Sequence, residues 1–134
     1  MSAHFSVLGL DHVDVTAPEE LENEVVDWYQ NCLGLTRVNK PAGTRPRGAW
    51  FELGPQELHV SIDEHNPHHT AHVGILVDDF DAVVERLRGA GCHLEQAATL
   101  PGRRRCYTRD PAGNRIEIGF LEEPTAHIVS EESG

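Results

Sequence analysis

Polar and apolar residues alternate along residues 10–16, with Val13 and Val15 on one side and His12 and Asp14 on the other. A period of two marks a strand with one buried face. Pro18, Glu19 and Glu20 come next; proline suits a first helical turn, and carboxylates complement the positive end of a helix dipole. Leu21, Val25, Val26 and Tyr29 then recur at helical spacing, and Gly34 supplies a stop. A strand is expected near residues 35–38. Residues 40–48 contain Pro41, Gly43, Pro46 and Gly48 and read as a loop. Residues 49–53 and 57–62 read as a hairpin around Gly54 and Pro55.

The same order returns. Residues 71–77 read as a strand, and Asp78 and Asp79 can cap a helix through Phe80, Val83, Val84 and Leu87. Gly89, Ala90 and Gly91 end it, and a strand near residues 93–96 leads to the Leu100-Pro101-Gly102 loop. A second hairpin, residues 106–109 and 114–120, turns at Asp110-Pro111-Ala112-Gly113. Asp11-His12-Val13-Asp14-Val15 aligns with Ala71-His72-Val73-Gly74-Ile75 at an offset of 60, and Leu58-His59-Val60 with Ile116-Glu117-Ile118 at an offset of 58. A duplicated unit explains this better than coincidence between unrelated halves. The expected fold is α+β: two tandem β-α-β-β-β modules forming a curved mixed-sheet cup with helices on the outer face. Module one spans about residues 8–62, a linker 63–70, module two about 71–121 and an acidic tail 122–134, in a single domain.

The duplication gives four polar residues a common meaning. His12, His59, His72 and Glu117 each sit between apolar neighbours on a strand and therefore face away from the core. His12 and His72 are equivalent in the repeat, as are His59 and Glu117. A pseudo-two-fold arrangement of the modules is expected to bring all four near one point. Imidazole nitrogen and carboxylate oxygen suit a divalent ion such as Zn, Ni, Co, Fe or Mn. A lone strand histidine is more often a solvent-facing residue than a ligand; repeat-related placement is what lifts these four.

Composition narrows the rest. Asp and Glu number 22 against 11 Lys and Arg, a formal net charge of -11, which opposes nucleic acid or an anionic membrane as partner. There is no signal-peptide pattern and no apolar run near the ~18 residues of a membrane span, so a cytoplasmic setting is expected. Cys32, Cys92 and Cys106 lack CxxC spacing and read as reduced structural thiols.

Gly9-Leu10-Asp11-His12-Val13, Trp28-Tyr29 before Leu33-Gly34-Leu35, His72-Val73-Gly74-Ile75 and Asp110-Pro111-Ala112-Gly113-Asn114-Arg115-Ile116-Glu117 together resemble the vicinal oxygen chelate superfamily, the glyoxalase, bleomycin-resistance and extradiol-dioxygenase group. The resemblance covers about residues 8–121. It implies metal ligands at His12, His59, His72 and Glu117, and a small substrate, or its enediolate, chelated through two adjacent oxygens. The second ligand position is more often Glu or Gln in glyoxalase I and epimerase members; here it is His59. The resemblance implies a glyoxalase-type lyase or isomerase with Glu117 as proton shuttle. An Fe(II) or Mn extradiol-type dioxygenase and a protein that sequesters an antibiotic or other small ligand are the alternatives. It leaves both a homodimer and a complete single-chain cup open.

Four further features carry an expectation. Trp50 either walls the cup, as a substrate contact, or lies in the core. Arg103 and Arg105 are candidates to hold a substrate carboxylate or phosphate, against a solvated Arg103-Arg104-Arg105 loop that offsets the acidic surface. Glu57, two residues before His59 and on the same face, reads as a base or a partner of that ring, against an exposed carboxylate at a strand start. His65, His68 and His69 read as part of the linker, and the tail as a frayed end.

Overall fold

The computed structural model describes residues 4–64 and 70–122. The His65, His68 and His69 cluster and residues 123–134 of the tail lie outside the described residues. Module one runs β1 (His12–Ala17), a 3-10 turn (Glu19–Leu21), α1 (Glu22–Asp27), a π-helical turn (Trp28–Cys32), β2 (Arg37–Val38), β3 (Ala49–Leu53) and β4 (Gln56–Ile62). Module two runs β5 (His72–Leu76), α2 (Phe80–Gly89), β6 (Glu95–Gln96), β7 (Arg103–Arg109) and β8 (Arg115–Leu121). The strands make two four-stranded mixed sheets in the orders β1-β4-β3-β2 and β5-β8-β7-β6. This is the expected doubled β-α-β-β-β topology. The first and last strand of each module lie side by side in parallel.

Register repeats as well as order. His12 faces Glu57 and Asp14 faces His59 across β1 and β4; His72 faces Arg115 and Gly74 faces Glu117 across β5 and β8. Trp50 pairs with His59, and Tyr107 with Glu117. Strand alternation sends Val15, Leu58, Val60, Ile75, Ile116 and Ile118 into one core with Tyr29, Phe51 and Leu87. Burial of a large aliphatic side chain stabilises by about 1.5–3 kcal/mol.

The helices differ. α2 is regular, and Asp79 caps it, its side chain accepting from Ala82 N at 3.1 Å. The module-one helix changes pitch from 3-10 to α to π, and Gly34 ends it at φ +71°. The π turn leaves both Trp28 and Tyr29 buried. Gly48 is required where it stands. A Cβ there would lie 2.1 Å from Val60 O, so the loop can cross β4 only without a side chain.

One expectation needs correction and another gains a second role. Arg103-Arg104-Arg105 is not a loop: β7 starts at Arg103 and pairs with β8 from that residue on. The residues after Leu100-Pro101-Gly102 are pulled straight because β8 continues to Leu121 and offers its full length as a pairing template. Asp110-Pro111-Ala112-Gly113 turns the hairpin as expected, but it also joins the modules. Asp110 is buried; its Oδ1 accepts from Ala112 N and Asn114 N, and its Oδ2 from Tyr29 OH at 2.7 Å and Asn114 Nδ2 at 2.7 Å. Asn114 Nδ2 also donates to Thr16 O of β1. Trp28 Nε1 donates to Cys92 Sγ at 3.2 Å. Burial first, and then the Asp110 carboxylate, push the Tyr29 hydroxyl well above its ordinary pKa.

Candidate functional site

The sheet faces opposite the core carry the candidate residues, in two separate groups. In module one, the His59 ring is stacked between Trp50 and His12, at centroid distances of 3.9 and 4.2 Å and interplanar angles of 3° and 17°. Its side chain is only 9% exposed although it faces away from the core. Its Nε2 donates to Glu57 Oε1 at 2.9 Å. His12 Nδ1 donates to Asp11 Oδ2 at 2.8 Å, which leaves Nε2 as the unprotonated nitrogen of a neutral ring.

Two open readings narrow here. Trp50 belongs to the polar face, because its register with His59 sets their rings face to face. Glu57 is a half-buried partner of His59 rather than a free strand-start carboxylate. The signal for it was available: a carboxylate two residues before a strand histidine shares its face.

In module two, His72 Nδ1 donates to Thr70 O at 2.9 Å, and its Nε2 lies 3.5 Å from Glu117 Oε1. Glu117 also receives Arg105 Nη1 at 3.3 Å, and its side chain is 15% exposed. The Tyr107 ring packs edge-on to His72, centroids 5.3 Å apart, and the Arg115 guanidinium lies 3.7 Å over the Tyr107 ring. Arg103, Arg105 and Arg109 share the Tyr107 face of β7. Arg104 points the other way, to Asp81 at 3.0 Å and over the Phe80 ring at 4.5 Å.

The expected meeting of all four ligand-type residues within one chain is not seen. Among the described residues, no group of three or more His, Cys, Asp or Glu side chains gathers where one ion could be held. His12 and His59 form one pair, and His72 and Glu117 the other. The physical reason is the way the modules meet. Their contact runs through Tyr29, Trp28 and Thr16 against Asp110, Cys92 and Asn114, and the first strands β1 and β5 do not pair.

The donor chemistry nonetheless suits a divalent ion. His12 and His72 each donate Nδ1–H to an oxygen and keep Nε2 as the second nitrogen, the arrangement that orients metal-binding imidazoles. With Nδ1 protonated, the Nε2 lone pair of His72 confronts a carboxylate oxygen. Two acceptors at that distance repel unless a positive charge, a second imidazole proton or a metal ion, is shared between them. The cysteines take no part. All three are free thiols, and burial pushes those of Cys106 and Cys32 up, away from the reactive thiolate. Among the described residues, no helix is long and apolar enough to cross a membrane.

Comparison with known proteins agrees with this architecture. The family model of the Glyoxalase/Bleomycin resistance protein/Dioxygenase superfamily matches residues 9–118. A glyoxalase family protein from Bacillus anthracis is 32% identical, with a TM-score of 0.81 over 89% of this chain and 99% of that one. Lactoylglutathione lyase from Agrobacterium tumefaciens, 22% identical, superposes with a TM-score of 0.66 over 85% and 94% of the two chains. TnmS3, an antibiotic-binding protein from Streptomyces sp. CB03234, is 20% identical, with a TM-score of 0.71 over 88% and 99%. The doubled module, the repeated register and the extent of these matches place the chain in the Glyoxalase/Bleomycin resistance protein/Dioxygenase superfamily.

Proposed function

We propose that this protein is a metal-dependent enzyme of the glyoxalase type, a lyase or isomerase acting on a small substrate held through two adjacent oxygens. The observation that carries the reading is the pairing of His72 Nε2 with Glu117 Oε1, 3.5 Å apart, the imidazole held by the Thr70 carbonyl and the carboxylate by the Arg105 guanidinium. His12, His59, His72 and Glu117 are the residues that would hold a divalent ion, Zn, Ni, Co, Fe or Mn. When bound, such an ion stabilises negative charge on a chelated oxygen pair. Glu117 is largely shielded and beside a guanidinium; it is the group to accept and return a proton next to the chelated oxygens. Trp50, stacked flat on the His59 ring, is the apolar wall that orients the substrate. Glu57 holds His59 in its plane.

The site is completed by a second copy. Each chain carries one two-residue half in each module, so a two-fold dimer can set module one of one protomer against module two of the other. The equivalent sheet positions support this pairing by charge: Glu52 and Glu57 in module one stand where module two has Arg109 and Arg115.

Metal uptake by variant mixtures tests the reading. His12→Ala and Glu117→Ala are each expected to abolish stoichiometric binding. After subunit exchange, a one-to-one mixture should recover about a quarter of the wild-type capacity, because half the dimers are mixed and each has one intact site. No recovery would rule out the shared site. No metal in the wild-type protein, with small-ligand binding retained by both variants, would leave a sequestering protein, as in the antibiotic-binding neighbour. Bound Fe(II) with oxygen uptake would mark a dioxygenase.

A further inference from the structure

The polar face of module two carries more positive charge than its own contacts consume. From the geometry we infer that it holds an anion subsite beside Glu117, centred on Arg105 over Gly119, for a carboxylate or phosphate group on the substrate. This deepens the proposed reading by naming the charge class of the substrate; it concerns the same face.

The register leaves Leu76 as the side-chain cover of a buried glycine beside Arg105. Arg105 lies opposite Gly119 on β8, and Gly119 lies opposite Leu76 on β5. In the next rank the same three strands carry Tyr107, Glu117 and Gly74. The position between Arg105 and Leu76 therefore has no side chain of its own. A Cβ added at Gly119 would meet Leu76 Cδ2 at 3.4 Å. Leu76 is 63% exposed and can swing aside.

The guanidinium beside this gap is incompletely bonded. Arg105 donates Nη2 to Ala98 O at 2.8 Å, but its Nη1 contacts with Glu117 and Tyr107 are long, 3.3 and 3.4 Å. Its Nε is buried with no acceptor, and its side chain is only 14% exposed. A buried guanidinium donor left unpaired costs free energy that an incoming oxyanion recovers. Arg103 is two residues away on the same face. Among the described residues, no hydrogen bond or ion pair engages its side chain. Arginine pairs with carboxylates and phosphates through two parallel donors, so two neighbouring guanidinium groups suit such a group better than a neutral one. Arg104 is the internal contrast: it faces away and is occupied by Asp81 and Phe80.

The test uses inorganic phosphate and acetate titrated into the full chain freed of metal with a chelator, at low salt, read by NMR of the arginine Nε–H signals and by calorimetry. Saturable binding is expected, with the Arg105 signal moving. Binding should weaken tenfold or more in Arg105→Gln and several-fold in Arg103→Gln, and stay within twofold in Arg104→Gln. Gly119→Ala keeps every charge and fills the gap, so it should weaken binding as Arg105→Gln does, and it covers the case in which Arg105→Gln fails to fold. Stronger binding of phosphate assigns a phosphoryl-type group, and stronger binding of acetate a carboxylate. No saturable shift in the wild-type protein, equal loss in Arg104→Gln, or full binding in Gly119→Ala would overturn the proposal. Because the titration is done without metal, failure of metal uptake and failure of anion binding are read separately.

Discussion

The two modules share a strand order and a register, yet their polar faces are opposites. Module one presents the stack of Trp50, His59 and His12 with Glu52 and Glu57; module two presents Tyr107, His72 and Glu117 among Arg103, Arg105, Arg109 and Arg115. A duplicated backbone has kept the positions of the polar-face side chains and exchanged the charges around them. The core faces did not diverge in this way, because both must remain apolar to bury against one another. Identical scaffolds with opposite charge are suited to meet each other, and the chain meets itself through Tyr29 and Asp110 instead. The proposed dimer is the arrangement in which the two polar faces would meet.

The largest test of this contrast is at the joint between modules. Asp110→Ala removes the acceptor for Tyr29 OH, for two backbone amides and for Asn114 Nδ2. The loss is expected to be about 3 kcal/mol or more, since each buried donor left unpaired costs about 1–3 kcal/mol; urea denaturation measures it. A change well below this would mean that the modules are held together elsewhere.

Reversing the charges of module one is expected to act between copies. The double variant Glu52→Arg with Glu57→Arg sets positive against positive in the proposed dimer. Dissociation should be enhanced by roughly tenfold or more, a shift read by sedimentation, on the scale of like-charge juxtaposition at an interface. Unchanged association would show that charge inversion between the modules has no role in assembly.

A smaller effect is expected from Tyr29→Phe, which removes one donor while Asn114 still serves Asp110. About 1 kcal/mol should be lost at neutral pH. The pH dependence carries a sign. The folded-state pKa of Tyr29 is raised, so in the wild-type protein stability falls as pH rises above the unfolded value of about 10. That alkaline component should vanish in Tyr29→Phe, as followed by thermal unfolding from neutral to alkaline pH.

Glu22→Gln should be the mildest change. Glu22 accepts from Gly48 N at 2.7 Å and from Arg47, and the Gly48 amide, ahead of Arg47, lowers its pKa. Its contribution is therefore present above the ordinary carboxylate value and is lost as pH falls through the lowered one. A loss of no more than about 1 kcal/mol at neutral pH is expected, with a flatter acid limb.

Much of this was legible in the chain. The alternation around His12, His59, His72 and Glu117 assigned each to the polar face, and the Asp78-Asp79 cap marked the start of α2. These are short-range effects: side-chain period and capping depend on neighbours within a turn or a strand. Glu57, Trp50 and the arginines were less legible, because their meaning lies in the residue across the sheet. Trp50 faces His59 by register alone, and Arg103 and Arg105 become a patch only once β7 extends along β8.

By itself, then, the sequence determined the doubled module, the faces and the donor types, since periodicity and repetition are properties of a chain. Only the tertiary structure decided which donors meet. It paired His12 with His59 and His72 with Glu117, locked Tyr29 to Asp110 and kept the two pairs apart. The physical reason is that the relative placement of two modules depends on side-chain contacts between residues far apart in the chain, Tyr29 to Asp110 and Thr16 to Asn114, and no local pattern encodes their geometry.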